Sequence, residues 1–445
     1  MRLWLKMAMV LGLTLAILVP LMMVRGVVHE RQQYRRQAVA DIARSYAGAQ
    51  TFAGPVVVVP YEEVVEVEES GRLVRRAVQR QWTFFPEVLE IDGGLKPGIR
   101  RRGLHEVRVY EWHGSASAAF ELAIPADPGN LRRIGRPYLS YVIGDVRGLV
   151  GRPSLRVDGR RVTIEQGPGD GDGEGLHAAL DPLQPGHKRS IRTELRLVLA
   201  GTERFALVPL GDQNRFSLAS SWPHPGFDGR SPGTRSIDAD GFTAGWSIPG
   251  VASNAQQRYL AGWPGTVAGA DASAPIDTVS VSLVDPVDVY STTDRATKYG
   301  LLFVLLTFLG FFMFEMIRQL PIHPIQYGLV GLALAMFFLL LLSLGEHLEF
   351  GWSYLVAAAA CIGLITFYLS AVLRGVRRAL GFAAMLTTLY AALYGLLVSE
   401  DNALVLGAGL LFAILAAVMV VTRKVDWYRL GGGSGPVTPR CPAPA

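Results

Sequence analysis

The stretch that decides the fold begins with YGLLFVLLTFLGFFMFEMI at residues 299–317 and continues through four more apolar blocks. The blocks cover Tyr299–Ile317, Tyr327–Leu344, Phe350–Leu373, Ala379–Val398 and Ala403–Val421. A helix rises about 1.5 Å per residue, so roughly 20 apolar residues cross the ~30 Å hydrocarbon core of a bilayer. Because the blocks show almost no polar face, they predict five membrane-spanning helices rather than the buried helices of a soluble protein.

The loops between these blocks alternate in charge. Basic residues follow the first, third and fifth blocks: Arg318, then Arg374, Arg377 and Arg378, then Arg423 and Lys424. Acidic residues without Lys or Arg follow the second and fourth blocks: Glu346 and Glu349, then Glu400 and Asp401. Short loops rich in Lys and Arg stay in the cytoplasm. The alternation therefore predicts a cytoplasmic C-terminus and places the segment before Tyr299 on the opposite side.

The N-terminus carries Arg2 and Lys6 before the uncharged stretch Met7–Val24. No pair of small residues in an A-x-A arrangement follows, which favours an uncleaved anchor over a cleaved signal peptide and gives six spans with both termini in the cytoplasm. The sparse apolar residues of Val28–Tyr46 predict a helix near the lipid headgroups. Four arginines follow the anchor and contradict the charge rule: Arg25, Arg31, Arg35 and Arg36. The rule weakens before a long translocated domain, so the later loops decide the topology.

The region from Pro55 to Pro286 has the texture of β-structure. Short apolar runs with a period of two recur between Gly, Pro and Asp, as at Ile191–Leu199, Phe242–Ile248 and Val279–Leu283. The clearest hairpin is Leu155–Ile164, where Asp158-Gly159 suits a two-residue turn. We therefore predict an α+β membrane protein with a large antiparallel β-sandwich-like domain between helices 1 and 2.

Composition excludes several classes of function. The net charge of +5 comes from scattered arginines without interleaved aromatic residues, which argues against nucleic-acid binding. The two cysteines, Cys361 in a span and Cys441 in the tail, are too far apart in the predicted topology to form a disulfide. The Gly- and Pro-rich tail after Tyr428 is predicted to be disordered.

One acidic loop has spacing that resembles a calcium-binding loop, with its glycine at Gly175. Its carboxylates are Asp170, Asp172, Glu174 and Asp181. A calcium hand needs flanking helices, whereas strands and prolines surround this loop, so a solvated surface loop is the favoured interpretation and a weak calcium site the alternative. We expect no metal and no cofactor.

Glu315 is the one acidic residue within a predicted span. It lies three residues before Arg318, so a structural ion pair is favoured over the lining of a transport pathway. The motifs of the commoner metalloproteases, serine hydrolases and P-loop ATPases do not occur. His323 and His347 are predicted at opposite membrane faces, where they cannot share a metal.

Several unusual strings occur in an order that resembles the CreD family of inner-membrane proteins, described as cell envelope integrity proteins. The resemblance covers nearly the whole chain. Its strings are Ile143-Gly144-Asp145-Val146-Arg147-Gly148, Ser221-Trp222-Pro223-His224-Pro225, Thr293-Asp294-Arg295-Ala296-Thr297-Lys298-Tyr299, His323-Pro324-Ile325-Gln326-Tyr327, Glu346-His347 and Asp426-Trp427-Tyr428, with weak support from Leu18-Val19-Pro20.

The resemblance implies a bacterial inner-membrane protein of an envelope or nutrient stress response, linked to colicin tolerance, with no established enzymatic activity. The candidate functional residues are Glu315, Arg295, Lys298, His323, Glu346, His347 and His224. Expected partners are the lipid bilayer and a periplasmic or envelope protein or ligand. A transporter or channel that uses Glu315 is the main alternative, and a membrane-embedded hydrolase a third.

The predicted domains follow from these patterns. They are an N-terminal anchor at 1–27, a periplasmic β-rich domain with a juxtamembrane helix at 28–298, a five-helix bundle at 299–424 and a disordered cytoplasmic tail at 425–445.

Overall fold

The computed structural model describes residues 3–69, 72–127, 129, 132–169, 173–263, 275–283, 289–318, 323–373, 375–399 and 403–423. Residue contacts divide the chain into a helical unit, Met1–Tyr34 with Val287–Ala445, and a sheet-rich unit, Arg35–Pro286. The α-helices of the described residues are α1 Leu3–Ser45, α2 Ala255–Leu260, α3 Val289–Arg318, α4 Pro324–Gly345, α5 Phe350–Val372, α6 Val376–Val398 and α7 Ala403–Thr422.

The predicted apolar blocks all form helices. Within the described residues, five segments are long and apolar enough to cross a membrane: Ala8–Ser45, Tyr290–Met313, Pro324–Gly345, Phe350–Val372 and Val376–Val398. A shorter apolar stretch, Val405–Ala416, lies in α7. The largest difference from the sequence-based bounds is at α3, which begins ten residues before Tyr299. The prediction located only apolar residues, whereas the first turns of α3 are polar and still helical.

The N-terminal region differs from the prediction in one respect. The apolar anchor and the predicted juxtamembrane helix form one unbroken helix, α1, which contains Pro20 and Gly26. The predicted position of Val28–Tyr46 near the headgroups stays a prediction, while the structure shows that the helix of this segment continues the anchor helix without a break. The physical reason is that Val28–Ser45 has ordinary helix-forming residues, so nothing in the local sequence ends the helix after the anchor.

The first part of α1 is packed inside the helical unit. Ile17, Leu21 and Val24 are buried in the same apolar core as Phe303 and Phe308 of α3. At Gly331 of α4 an added Cβ atom would lie 2.8 Å from Cγ1 of Ile17, so this glycine lets the two helices approach closely. One face of α1 thus contributes to the bundle core.

The strands of the sheet-rich unit form two sheets. Their bounds are β1 Gln50–Glu69, β2 Arg72–Phe84, β3 Val88–Arg102, β4 His105–Ala123, β5 Arg132–Ile134, β6 Tyr138–Ile143, β7 Leu149–Val157, β8 Arg160–Val162, β9 Glu165–Gln166, β10 Gly175–Ala179, β11 Lys188–Thr202, β12 Arg204–Leu207, β13 Gln213–Ser220, β14 Pro225–Gly229, β15 Thr234–Asp238, β16 Gly241–Pro249 and β17 Val279–Leu283. Among the described strands, one sheet runs β14-β17-β12-β1-β6-β10-β9, with β2 and β5 also paired to β1. The other runs β15-β16-β13-β3-β4-β11-β7-β8.

The two sheets share one apolar core, to which both contribute aromatic side chains such as Phe52 of β1 and Trp112 of β4. The alternation predicted for β11, β16 and β17 is confirmed, since their apolar side chains are buried at every second position. The Asp158-Gly159 turn is confirmed too: both residues have positive φ, and Val157 pairs with Arg160 across the hairpin.

The expectation of a purely antiparallel sandwich is wrong for two strand pairs. β1 and β12 run parallel, as do β3 and β13. Alternation of apolar residues shows which face of a strand is buried but carries no information about the direction of its neighbour.

The Asp145-Val146-Arg147-Gly148 string ties the end of α1 to this domain. The Asp145 carboxylate accepts hydrogen bonds from Nε and Nη2 of Arg147 at 2.8 and 2.7 Å, and from the backbone N–H of Gly48 at 2.9 Å. Arg147 also donates through Nη1 to the carbonyl of Arg44 in the last turn of α1, at 2.9 Å. The Arg147 guanidinium is therefore a cap for helix carbonyls that lack an intrahelical partner.

A buried glutamine completes this connection. Gln50 donates through Nε2 to the carbonyls of Asp145 and Ala200, both at 2.9 Å, and accepts from the Asp145 N–H at 3.0 Å. At Gly148 an added Cβ would lie 2.2 Å from the Ala200 oxygen, so the string must end in glycine. The family string is thus explained by packing and hydrogen bonding in the domain.

We expect Asp145→Asn to destabilise the domain by about 2 kcal/mol at neutral pH, because it breaks charge-assisted hydrogen bonds at a buried carboxylate. The Arg147 hydrogen bond holds the pKa of Asp145 below its ordinary value. That contribution is present above the ordinary value of about 3.9 and is lost as pH falls through the lower folded-state pKa. The difference between wild type and variant should therefore shrink in that acid range.

The measurement is urea unfolding of the full-length protein in detergent, followed by the emission of the buried tryptophans. Glu90→Gln is the control, since it removes an exposed pair with Arg215, at 2.7 Å, that should contribute about 0–1 kcal/mol. A loss for Asp145→Asn no larger than for the control, or one independent of pH, would contradict this assignment.

Candidate functional site

A group of charged and polar residues at one end of the helical unit lies on three helices. We call them the Asp294–Glu346 cluster: Arg25 and Arg31 of α1, Tyr290, Asp294 and Lys298 of α3, and Glu346 at the end of α4. α1 runs antiparallel to α3 here, because Arg25 lies beside Asp294 while Leu21 lies beside Gly300. The cluster is therefore built by tertiary packing of helices distant in sequence.

Asp294 has two cationic partners. Nζ of Lys298, one turn further along α3, lies 2.8 Å from Oδ2 of Asp294, and Nε of Arg25 donates to Oδ1 at 3.3 Å. The Asp294 side chain is only 15% exposed. A carboxylate this buried requires compensating charge, which Lys298 supplies within the helix and Arg25 supplies from α1.

Glu346 is the second carboxylate and is 9% exposed. Nε of Arg31 lies 3.5 Å from its Oε1 atom, and the hydroxyl of Tyr290 donates to the same atom at 3.4 Å. Glu346 is the C-cap residue of α4, so its position is fixed by the end of that helix. His347, which follows it, is exposed.

These pairs explain the arginines that contradict the charge rule in the sequence. Arg25 and Arg31 follow the apolar segment of α1, where the predicted topology and the charge rule do not expect cations. Each meets a largely buried acid, so each compensates a charge inside the protein. One signal in the sequence could have predicted this pairing, because arginines that contradict the predicted sidedness of a span require a partner.

The remaining residues of the Thr293–Tyr299 string pack within α3. Thr293, Ala296 and Thr297 are buried, and the hydroxyl of Thr297 donates to the carbonyl of Asp294 at 2.8 Å. Arg295 is half-buried and donates to the hydroxyl of Thr292 at 3.4 Å. The string therefore combines buried small residues for helix contact with charged residues for the cluster.

Glu315 lies near the other end of α3 and is 5% exposed. Its Oε2 atom accepts a hydrogen bond from the hydroxyl of Tyr327 on α4 at 2.9 Å. The ring of Phe311 lies 4.6 Å from that of Tyr327 and 5.3 Å from that of Phe382. The predicted pairing with Arg318 concerns a side chain outside the described ones.

Glu315 and the Asp294–Glu346 cluster are separate sites. The rise of ~1.5 Å per residue puts Asp294 and Glu315 about 30 Å apart along α3.

Buried hydroxyls in the bundle bond to nearby carbonyls. The hydroxyl of Thr307, which lies between Asp294 and Glu315, donates to the carbonyl of Phe303 in its own helix at 2.8 Å. On α5, buried Ser353 similarly donates to the carbonyl of Glu349 at 3.0 Å. These hydroxyls are satisfied locally and require no transported ion.

The histidines have structural positions. His323 is the N-cap residue of α4: its Nδ1 accepts from the N–H of Ile325, and its own N–H donates to the Gln326 side chain in a capping box. His347 lies at the opposite end of that helix, about 33 Å away by helix rise. As the sequence predicts, these two histidines cannot share one metal ion.

His224 belongs to a tight turn between β13 and β14. Nε1 of Trp222 donates to the carbonyl of His224 at 2.9 Å, and the guanidinium of Arg108 stacks 4.5 Å from the Trp222 ring. The imidazole of His224 is exposed. The Ser221–Pro225 string thus shapes a link between the two sheets.

The carboxylates of the acidic loop are only partly described, because Asp170 and Asp172 lie outside the described residues. Glu174 and Asp181 flank opposite ends of β10, whose five residues span on the order of 13 Å. Ligands of one calcium ion lie within about 2.6 Å of it, so these two do not share an ion in this structure.

Other partners occupy both carboxylates. Glu174 accepts the N–H of Val146 at 2.9 Å, and Asp181 lies 3.3 Å from Arg189. Among the described residues no group of three or more His, Cys, Asp or Glu is arranged to hold a metal.

Comparison with known proteins identifies the family. A sequence model of the family "Inner membrane protein CreD" matches residues 2–428. The chain is 35% identical over 431 residues to the inner membrane protein CreD of Escherichia coli strain K12, covering 95% of this chain and 93% of that protein.

Solved structures give only remote similarity. An M1 zinc metallopeptidase from Deinococcus radiodurans is 11% identical, with a TM-score of 0.22, over 45% of this chain and 42% of that chain. The leukotriene A4 hydrolase of Saccharomyces cerevisiae is 11% identical, with a TM-score of 0.22, over 44% and 29%. Similarity at this level supports no conclusion about fold or activity.

The family match, the relative that spans almost the whole chain and the long apolar helices agree with one another. The chain therefore belongs to the CreD family and is a multi-pass inner-membrane protein.

Proposed function

We propose that this chain crosses the inner membrane six times, with its sheet-rich domain in the periplasm and both termini in the cytoplasm. In this proposal it is a non-catalytic protein of the envelope stress response that supports envelope integrity and colicin tolerance. The domain binds an envelope component or protein, and the helices anchor that binding or relay it.

The observation that carries the proposal is the place of α1 in the bundle. Its residues Ile17, Leu21 and Val24 are buried in the helical core, and Arg25 and Arg31 pair with acids of α3 and α4. A cleaved signal peptide needs none of these contacts, whereas a permanent first span needs both apolar packing and compensated charges. In sequence, the domain is inserted between α1 and α3, so in this proposal the chain crosses the membrane before and after it.

The charges of the loops support the sidedness. Arg377 and Arg378 lie in the first turn of α6 and Arg423 directly follows α7, at the end of the bundle opposite to Glu346 and Glu349. Because Arg25 and Arg31 have carboxylate partners, they no longer count against a periplasmic position for the Asp294–Glu346 cluster.

Two observations support a non-catalytic role. His323 caps a helix and His224 stands exposed in a turn, so neither has the paired base and nucleophile that acyl or phosphoryl transfer requires. The description of the family names no reaction.

A transporter or channel remains the second candidate, and one observation favours it. Glu315 is a buried carboxylate in a membrane helix with a tyrosine donor, which is an arrangement found in proton and ion pathways. Against it, the buried hydroxyls of Thr307 and Ser353 bond to their own helices.

Charge reversal tests the cluster. We expect Arg31→Glu and Glu346→Arg each to lower the amount of folded protein in the membrane, because each leaves a partly buried charge unpaired. Each should also lower the resistance of cells to a detergent. The double variant restores the pair and should recover more than half of both losses. The measurements are membrane abundance and growth of a deletion strain, complemented with each variant, in the presence of a detergent.

The matched control is Glu349→Arg, which makes the same charge change at an exposed carboxylate three residues away. Single variants as harmless as this control, or a double variant no better than the singles, would refute the role of the Arg31–Glu346 pair.

Glu315→Gln and Tyr327→Phe test the transport alternative. We expect both variants to retain the growth phenotype and to lose about 1 kcal/mol of stability, since one hydrogen bond is weakened. Proton flux, measured with a pH-sensitive dye in proteoliposomes, should equal that of protein-free vesicles for wild type and both variants. Thr307→Val, which removes a buried hydroxyl bonded to its own helix, controls for general damage. Wild-type flux that disappears in both variants but persists in the control would establish transport instead.

A further inference from the structure

A cleft lies in the sheet-rich unit between the β7–β8 hairpin of one sheet and β10 of the other. Its volume is about 560 Å³, within the usual size of a small-molecule site. Four arginines line it: Arg136, Arg160, Arg161 and Arg189. We call it the arginine cleft.

These arginines come from separate parts of the chain. Arg136 precedes β6, Arg160 and Arg161 form the edge strand β8, and Arg189 lies at the start of β11. A run of solvated charge would be contiguous in sequence, whereas these guanidinium groups meet because both sheets end here. Their convergence is a property of the fold.

The cleft has an excess of positive charge. Its lining carboxylates are Asp158 and Asp181, so four arginines and two acids line it. Asp158 accepts the backbone N–H of Arg192 at 2.9 Å, and Asp181 pairs with Arg189 at 3.3 Å. Among the residues that the structure describes, neither Arg160 nor Arg161 pairs with a carboxylate. Two positive charges are therefore left to be matched by a ligand.

The floor of the cleft is apolar. Leu122, Leu180 and Ile191 are buried residues of the sandwich core that form its base. Guanidinium groups next to an apolar, low-dielectric surface attract anions more strongly than the same groups on a flat, fully solvated surface. The edge position of β8 leaves the cleft open on one side, so a ligand enters without movement of the core.

We propose that the arginine cleft binds a phosphoryl group. A phosphate monoester carries about −1.5 to −2 charges at neutral pH, which matches the excess of two positive charges. Guanidinium groups bind phosphate oxygens through paired N–H donors, and clusters of arginine are a recurrent mode of phosphate recognition. The group belongs either to a lipid headgroup or to a free phosphorylated solute. The inference rests on the proposed function for its setting, since that places the domain among envelope components.

Binding is tested with full-length protein in nanodiscs of phosphatidylcholine, whose headgroups carry no net charge. One arm titrates glycerol 3-phosphate by calorimetry, and the other measures co-flotation with vesicles that contain phosphatidic acid, a lipid with a phosphate monoester, against pure phosphatidylcholine vesicles. Wild type should bind at least one probe. Arg160→Gln with Arg161→Gln should weaken that binding at least about tenfold, because two of the four donors are lost.

The matched control is Arg215→Gln with Arg235→Gln, which removes two exposed arginines of the same sheet outside the cleft. Urea unfolding confirms that both double variants are folded. Binding of glycerol 3-phosphate assigns a free solute, and binding of vesicles alone assigns a lipid headgroup; either supports the proposal if the cleft variant loses it and the control does not.

Failure of wild type to bind either probe, or equal losses in the two double variants, would overturn the proposal. Loss of binding without loss of the growth phenotype would leave the proposed function standing and separate it from this site. Loss of the phenotype in a variant that still binds would instead locate the function elsewhere in the protein.

Discussion

The helical unit depends on two carboxylates that packing removes from water. Asp294 and Glu346 are largely buried at one end of the bundle, and a buried carboxylate without a cation costs several kcal/mol. Lys298 supplies part of the compensation within α3, but the rest comes from Arg25 and Arg31 of α1. Electrostatics therefore requires the first helix at the same place where apolar packing puts it, and the two requirements together fix its direction and register.

Within the sheet-rich unit, the end of α1 lies beside a third buried carboxylate, that of Asp145. Asp145 and Arg147 connect the last turn of α1 to the strands, and Gln50 bridges Asp145 to Ala200. The helix is continuous between these two sets of contacts. Both family strings that contain an Asp and an Arg, one in each unit, thus serve α1. Arg147 and Asp294 contact α1 directly, whereas Arg295 and Lys298 bond within α3.

The sequence predicted the features that depend on local patterns. Block length located α4 to α7 within three residues at each end, and alternation located the buried faces of β11, β16 and β17. Features set by tertiary packing were missed: the parallel β1–β12 and β3–β13 pairs and the partners of Arg25 and Arg31. The continuity of α1 is a local feature, since no residue after the anchor ends the helix. The arginine cleft was beyond reach as well, because it joins residues that only the meeting of two sheets brings together.

The central claim is that the sheet-rich domain faces away from the cytoplasm while α1 stays in the membrane. Its most direct test is labelling of intact spheroplasts with a membrane-impermeant maleimide, using Val251→Cys in a Cys441→Ser background and the native chain for Cys441. Val251 is fully exposed in the domain, and Cys361 is buried. The account predicts that the cysteine introduced at 251 is labelled in intact spheroplasts and that Cys441 is labelled only after lysis. Protection of the introduced cysteine until lysis would contradict it.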